Sequence, residues 1–102
     1  MSTFDVFEPK REPARSIYLA FQREAEHRKK RTVDEWLRGE REAVFDESVR
    51  QAVKMGLRAP SMEEVILAER SAAGHIDYGA KWAYGIVDSM MRRTPASEGE
   101  QK

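Results

Sequence analysis

The chain has 102 residues, of which 35% are charged, and its formal net charge is zero. This length fits one domain, and a balanced charge supplies no net positive field of the kind that recruits nucleic acids or anionic membranes. The absence of cysteine excludes disulfides, thiol nucleophiles and cysteine-based metal sites. The apolar runs are far shorter than the about 20 residues of a membrane-spanning helix, so we expect no membrane partner. The absence of cysteine, together with the absence of a signal peptide, predicts a cytoplasmic protein.

The start of the chain, MSTFDVFEPKRE, predicts an extended and flexible arm. Pro9 and Pro13 disfavour helix before them, and no helical period is present. Apolar residues in an extended peptide fill pockets on a partner or add to the edge of its sheet, although they also fold back over a protein's own helices. The candidate partner-binding residues of the arm are Phe4, Val6 and Phe7.

The first helix is predicted to begin at Pro13, because a proline loses no hydrogen bond at the first helical position. Its apolar face consists of Ala14, Ile17, Tyr18, Phe21 and Ala25. The helix should end within residues 27–31, where cationic side chains favour the negative end of the helix dipole.

The basic run at this helix end has two interpretations. It is a solvated turn, or it concentrates enough positive potential to bind the phosphates of a nucleic acid. Acidic residues flank the run on both sides and favour the solvated turn. The candidate nucleic-acid contacts of the second interpretation are Arg28, Lys29, Lys30 and Arg31.

A second helix is predicted to begin at Thr32. Thr32 and Glu35 have the spacing of a capping box, in which each side chain bonds the backbone N–H of the other residue. Gly39 weakens the helix locally, whereas Gly56 is suited to end it in the left-handed conformation. Trp36, at the margin of its apolar face, is expected to anchor the core.

A third helical segment is predicted from Ser61, which forms another capping box with Glu64, to about Arg93. In the alternative, Gly74 divides this segment into two helices. Apolar and small residues recur along it at spacings of four and three, and they cover more of its surface than two neighbouring helices would enclose. If Glu69 on this face is buried, it needs a partner such as Arg41 or Tyr18.

We therefore predict a homodimer that forms along this segment. Its glycines and alanines would let another helix approach closely, which would offset the helix stability that each glycine removes. Trp82 beside them is expected to anchor the core. The candidate self-association residues are Ala72, Ile76, Gly79, Ala83 and Ile86.

Catalytic and metal-binding patterns are weak in this sequence. His75 and Asp77 lie two apart, so on a helix they point in nearly opposite directions and cannot share a metal. Ser71 and His75 would share a helical face, but no glycine-rich elbow or oxyanion loop accompanies them. We expect no catalytic residues, no metal and no cofactor.

Residues 68–88, AERSAAGHIDYGAKWAYGIVD, resemble the ends of small uncharacterised helical proteins that bacteriophages and prophages encode. In those proteins a Gly-His-x-Asp-Tyr pattern precedes an aromatic residue. The resemblance covers about a fifth of the chain and implies no activity or site. It implies a phage setting, in which short helical proteins bind a host or defence component.

Together these patterns predict an all-α domain over residues 13–93, with a flexible arm at 1–12 and a disordered tail at 94–102. The domain would be a three-helix bundle, or a four-helix bundle if Gly74 divides the last segment. We expect a non-enzymatic protein–protein interaction module, for example a phage-encoded modulator or inhibitor of a host or defence protein. The alternative is a nucleic-acid-binding helical protein that uses the basic turn at 28–31.

Overall fold

The computed structural model describes residues 7–99, with side chains as far as Arg92. It contains four α-helices, which are α1 (Ala14–Ala25), α2 (Val33–Met55), α3 (Met62–Ala72) and α4 (Tyr78–Gly99). A 3-10 helix, Arg28–Lys30, lies between α1 and α2. No strand occurs within residues 7–99, and the predicted all-α class is confirmed. None of these helices is long and apolar enough to cross a membrane.

Gly74 divides the last predicted segment into α3 and α4, so the chain takes the four-helix alternative. Its φ of 87° lies in the left-handed region, which glycine adopts without steric cost. α3 ends at Ala72, and after the turn α4 packs back along α3. Residues that would have shared one continuous helical face therefore lie on two helices and in the turn between them.

Local sequence signals fix most of the helix ends. The capping boxes at Thr32–Glu35 and Ser61–Glu64 are both present, as predicted. Gly56 ends α2 with a φ of 69°, which confirms the predicted left-handed cap. The residues that form each of these helix ends are no more than four positions apart. The helical backbone therefore holds them close enough to form the capping hydrogen bonds.

α1 begins one residue later than predicted, because Pro13 occupies the N-cap position and Ala14 is the first helical residue. Pro13 has no side-chain acceptor to cap the free N–H groups of the first turn. The side chain of Glu12 supplies the acceptor instead. One of its carboxylate oxygens accepts from the Ser16 N–H at 3.0 Å, and the other accepts from the Ser16 hydroxyl at 2.8 Å.

The hydrophobic core lies where α4 packs against α1 and α3, while α2 covers α1 from the other side. Trp82 is its largest side chain and donates its indole N–H to the Val65 carbonyl at 2.9 Å, so it anchors the core as predicted. The other side chains under 2% exposed in this cluster include Ile17, Val44, Ile86 and Met90. All four helices thus contribute to one continuous core.

The described part of the predicted arm, residues 7–12, lies against the bundle. Pro9 is fully buried, and Phe7 is half-buried against the core. The Glu8 carboxylate forms an ion pair with Arg15 of α1. Contacts of the chain with itself therefore hold this segment. The predicted arm residues Phe4 and Val6 lie outside the described part.

Candidate functional site

An open cleft of about 420 Å³ lies where α1, the turn before α4 and the first turn of α4 meet the segment that carries Phe7. We call it the aromatic cleft. Its principal lining residues are Phe7, Tyr18, Phe21, Ile76, Tyr78 and Gly79. A concave, mainly apolar surface bordered by a few polar groups is the usual form of a binding site for a small molecule or a partner's side chain.

The wall of the aromatic cleft is held in place by ring packing. Phe21 of α1 makes edge-to-face contacts with Tyr78 and Trp82 of α4, with 5.6 Å between ring centroids in each pair. Tyr78 and Trp82 are 5.7 Å apart. Because Trp82 is 1% exposed, this cluster connects the cleft directly to the core. The cleft is therefore a preformed surface.

Gly79 lets these rings approach α4. A Cβ atom at position 79 would lie 2.7 Å from Phe21 Cε2 and 3.0 Å from Tyr18 Cε1, which is closer than such atoms pack. The sequence predicted that a glycine here permits close packing. The neighbour that packs there is α1 of the same chain.

Ile76 lies at the mouth of the cleft and is 76% exposed, although it is a large apolar residue. It belongs to the turn that Gly74 creates, which presents its side chain away from the bundle. Two carboxylates, those of Glu26 and Asp77, border the same cleft. The mouth of the cleft thus combines exposed apolar surface with negative charge.

Behind the cleft, the Tyr78 hydroxyl donates to Glu69 Oε2 at 3.2 Å. Glu69 is 5% exposed, and its other oxygen accepts from Arg41 Nε at 2.7 Å, which confirms the predicted Arg41 partner. Burial and the nearby Glu69 carboxylate raise the pKa of Tyr78, because both disfavour the phenolate. Tyr78 therefore stays a neutral donor to Glu69, and the same residue lines the cleft.

A second buried ion pair, between Arg28 and Glu40, lies near the Tyr78–Glu69–Arg41 group. The Arg28 guanidinium donates to Glu40 through Nε at 2.6 Å and Nη2 at 2.8 Å, and it stacks 3.9 Å from the centroid of the Trp36 ring. The Glu40 side chain is completely buried. Hydrogen bonding to Glu40 outweighs the cost of partial burial and raises the pKa of Arg28. We call Arg28, Glu40, Arg41, Glu69 and the Tyr78 hydroxyl the charge network.

The four basic residues predicted to contact nucleic acid separate into two pairs. Arg28 is bound to Glu40, and Arg31 is bound to Glu24 at 2.9 Å above Gly39. Lys29 and Lys30 are exposed on the 3-10 helix. Of the four, Lys29 and Lys30 are the two whose positive charge no carboxylate within residues 7–92 neutralises at ion-pair distance.

The predicted self-association residues also separate. Ala72, Ala83 and Ile86 are at most 1% exposed in the chain's own core, so a second copy would reach them only if the bundle opened. Gly79 and Ile76 both border the aromatic cleft, where Gly79 is buried against α1 and Ile76 is exposed. The bundle thus brings two of the five residues to one surface.

Neither the burial of Glu40 nor the role of Tyr78 was predicted from the sequence. Glu40 pairs with a residue twelve positions away, so no local spacing predicts the contact. One signal was available: Leu37, Glu40 and Val44 have the alternating spacing of a buried helical face. A carboxylate at such a position requires a buried partner.

The turn at Gly74 separates Ser71, which lies on α3, from His75, which follows the helix. Ser71 and His75 are both exposed beside a groove between α3 and α4, and no hydrogen bond joins them in the described structure. Among the same residues, no group of three His, Asp or Glu side chains is arranged to hold a metal ion.

Comparisons with known proteins add no relative. No protein-family model matches the chain, and no curated protein or solved structure is significantly similar to it. The geometry of the cleft, the charge network and the helix surfaces is therefore the basis for the functional argument.

Proposed function

We propose that this chain is a protein-binding module that receives an apolar side chain of a partner in the aromatic cleft. The observation that carries the proposal is the 76% exposure of Ile76 at the mouth of a preformed aromatic surface. Contact with a partner would remove this isoleucine and the ring faces from water, which is the main source of free energy in such interfaces.

The charges around the cleft define the partner further. Glu26 and Asp77 border it, and Arg28, the one cation among its lining residues in the described part of the chain, is already paired with Glu40. An apolar residue flanked by lysine or arginine would complement this negative rim, whereas flanking carboxylates would be repelled. The proposed ligand is thus a peptide segment with a leucine, isoleucine or phenylalanine next to a basic residue.

The N-terminal arm is part of this proposal. Phe7 forms one wall of the cleft, and Phe4 and Val6 precede it by at most three residues. A chain spans at most about 3.6 Å per residue, so Phe4 is within reach of anything bound at the cleft mouth. We assign Phe4 and Val6 to the contacts that the partner makes.

The resemblance of residues 68–88 to phage-encoded proteins suggests where such a partner would be found. In that setting the ligand would be a segment of a host or defence protein, and binding would modulate or inhibit it. Neither activity requires a catalytic group on this chain.

A direct test compares Ile76→Asp with Val53→Asp. Both variants replace a 76% exposed aliphatic residue by aspartate, so they make the same change in charge. They differ in position, because Val53 lies on α2 outside the cleft. The probes are two peptide libraries with a central leucine or phenylalanine, flanked by arginine in one library and by glutamate in the other. Binding is measured by fluorescence anisotropy.

We expect the arginine library to yield binders, and we expect these to lose at least tenfold in affinity for Ile76→Asp while Val53→Asp binds as the wild type does. Deletion of residues 1–6 should weaken binding without unfolding the bundle. Equal binding to both aspartate variants, or no preference for arginine, would contradict the proposal.

Nucleic-acid binding remains the second candidate function, because Lys29 and Lys30 are adjacent, exposed and outside any ion pair of the described residues. Its test compares Lys29→Glu/Lys30→Glu with Lys10→Glu/Lys54→Glu, which makes the same charge change at two other exposed lysines. A nucleic-acid contact predicts affinity that falls with salt and is lost only in the first variant. Equal retention by both variants would exclude it.

A further inference from the structure

The outer face of the α3–α4 pair is a second unpartnered surface, and it shares no lining residue with the aromatic cleft. Two of its apolar side chains are more than half exposed, namely Leu67 at 58% and Tyr84 at 52%. Between α3 and α4 runs a groove of about 600 Å³. We call the surface around this groove the α3–α4 face.

The floor of the groove is narrow because the two helices lie close together. A Cβ atom at position 85 would lie only 3.2 Å from Ala68 Cβ, so Gly85 is what lets α4 pack closely against α3. The groove above this contact is lined by Gly85 and Tyr84 of α4 and by Leu67 of α3. Because Gly85 has no side chain, nothing rises from α4 at this point to exclude a ring of another molecule from the groove.

Charged residues of α4 mark the same face. One helical stripe of α4 carries three charged residues and a tyrosine, and all four line the groove. The members of this stripe are Lys81, Tyr84, Asp88 and Arg92. Asp88 and Arg92 form an ion pair at 3.2 Å in which both side chains remain about two-thirds exposed, while Lys81 forms no ion pair within the described residues. All of these charges are accessible to a partner.

The order of these charges is self-complementary. If α4 lies antiparallel to a copy of itself with the two-fold axis between Tyr84 and Gly85, Lys81 lies opposite Asp88 in both directions. The same register places Tyr84 opposite Gly85. A parallel pair would instead place Lys81 opposite Lys81 and Asp88 opposite Asp88, which is repulsive.

We propose that a second copy of this chain occupies the α3–α4 face, with the two α4 helices antiparallel and centred between Tyr84 and Gly85. Each Tyr84 ring covers the other copy's Gly85, and Leu67 borders this contact. Two Lys81–Asp88 pairs fix the register. The interface is isologous, because the same patch serves both copies. The bundle keeps its own core intact, so Ala72, Ala83 and Ile86 stay within each monomer.

The test uses two single variants, Lys81→Glu and Asp88→Lys, whose side chains are exposed and outside the core. Alone, each variant places two like-charged pairs across the axis, so we expect the dissociation constant to rise roughly tenfold or more. Mixed in equal amounts, the two variants form heterodimers in which both pairs are opposite in charge. We expect the mixture to recover an affinity close to that of the wild type.

Sedimentation equilibrium at low salt measures these constants, and circular dichroism checks that each variant keeps its helices. Positions 81 and 88 lie two turns apart in one chain, about 10 Å along the helix, so recovery in the mixture reports contact between chains. A wild type that stays monomeric at millimolar concentration would overturn the proposal. Single variants that dimerise as the wild type does, or a mixture that stays as weak as its components, would also overturn it.

Discussion

The aromatic cleft and the charge network meet at Tyr78, but they differ in how far their side chains already have partners within the chain. In the network every buried carboxylate has a partner: Glu40 has Arg28, and Glu69 has both Arg41 and the Tyr78 hydroxyl. In the cleft, Ile76 keeps three quarters of its surface in water. Groups that are already paired have no free hydrogen-bonding capacity to offer a ligand. Exposed apolar surface, by contrast, contributes favourable free energy to binding when a partner removes it from water. We therefore expect the network to contribute to stability, and we propose the cleft as the surface for binding.

The largest expected effect on stability comes from removing one partner of the buried Arg28–Glu40 ion pair. In Arg28→Ala, the fully buried Glu40 carboxylate loses both hydrogen bonds and its counter-charge. We expect a loss of about 3 kcal/mol in the free energy of unfolding, measured by urea denaturation, because an unpaired buried charge is costly.

Two controls separate burial from charge in this experiment. Arg50→Ala removes an arginine that pairs with Glu47 at 2.7 Å on the surface, and it should change stability little. The double variant Arg28→Ala/Glu40→Leu removes both charges and should recover much of the loss. If the double variant is as unstable as Arg28→Ala, the cost comes from lost packing on Trp36 and not from the unpaired carboxylate.

A second prediction connects the two regions through Gly79. In Gly79→Ala the new methyl group would overlap the Phe21 ring at 2.7 Å, and the ring must move toward the cleft. Overpacking outweighs the better helix propensity of alanine, so we expect a loss of about 1–2 kcal/mol in the free energy of unfolding. The displaced ring should also weaken binding of the arginine-flanked peptides.

Gly85→Ala is the matched control, because it also replaces a glycine within α4. The nearest atom to its methyl group would be Ala68 Cβ at 3.2 Å, which is a milder contact than the overlap at position 79. We expect a smaller loss of stability and unchanged peptide binding. A Gly79→Ala variant that is more stable than the wild type would show that Phe21 does not pack against α4 as described.

The sequence was sufficient for features that depend on near neighbours. The capping boxes at Thr32 and Ser61 and the left-handed cap at Gly56 are all formed by residues within four positions. The Glu69–Arg41 pair was also anticipated, because a carboxylate on an apolar face requires a partner.

Other features depended on how the helices meet, which local spacing does not contain. A face with a 3.6-residue period has the same pattern whether the chain's own helices or a second copy cover it. Ala72, Ala83 and Ile86 were assigned to a dimer from that pattern, and the structure places them in the core. Ile76 fits the same pattern, but the turn at Gly74 moves it to the cleft mouth.

Tyr78→Phe separates the two functions of one residue. The variant removes the hydroxyl that donates to Glu69 but keeps the ring that lines the cleft, and Arg41 still pairs with Glu69. We expect a loss of about 1 kcal/mol in the free energy of unfolding and no change in peptide affinity. A loss of affinity in Tyr78→Phe would mean that the hydroxyl takes part in binding.

The pH dependence of stability gives the smallest expected effect. Folding raises the pKa of Tyr78, so above the ordinary tyrosine pKa of about 10 the unfolded chain loses this proton first. The stability that Tyr78 contributes is therefore complete below that pH and declines as the pH rises above it. Urea denaturation should show a shallower alkaline decline in Tyr78→Phe than in the wild type. An identical slope would contradict the burial of this hydroxyl.

The most direct test of the proposed cleft is a nuclear magnetic resonance titration of the ¹⁵N-labelled wild type with one arginine-flanked peptide from the library. If the peptide enters the aromatic cleft, the largest amide shifts will cluster at residues 18–26 and 76–80, and the shifts will be absent in Ile76→Asp. Shifts centred on Lys29 and Lys30, or spread over the α3–α4 face, would show that the partner binds elsewhere and would contradict the proposed function.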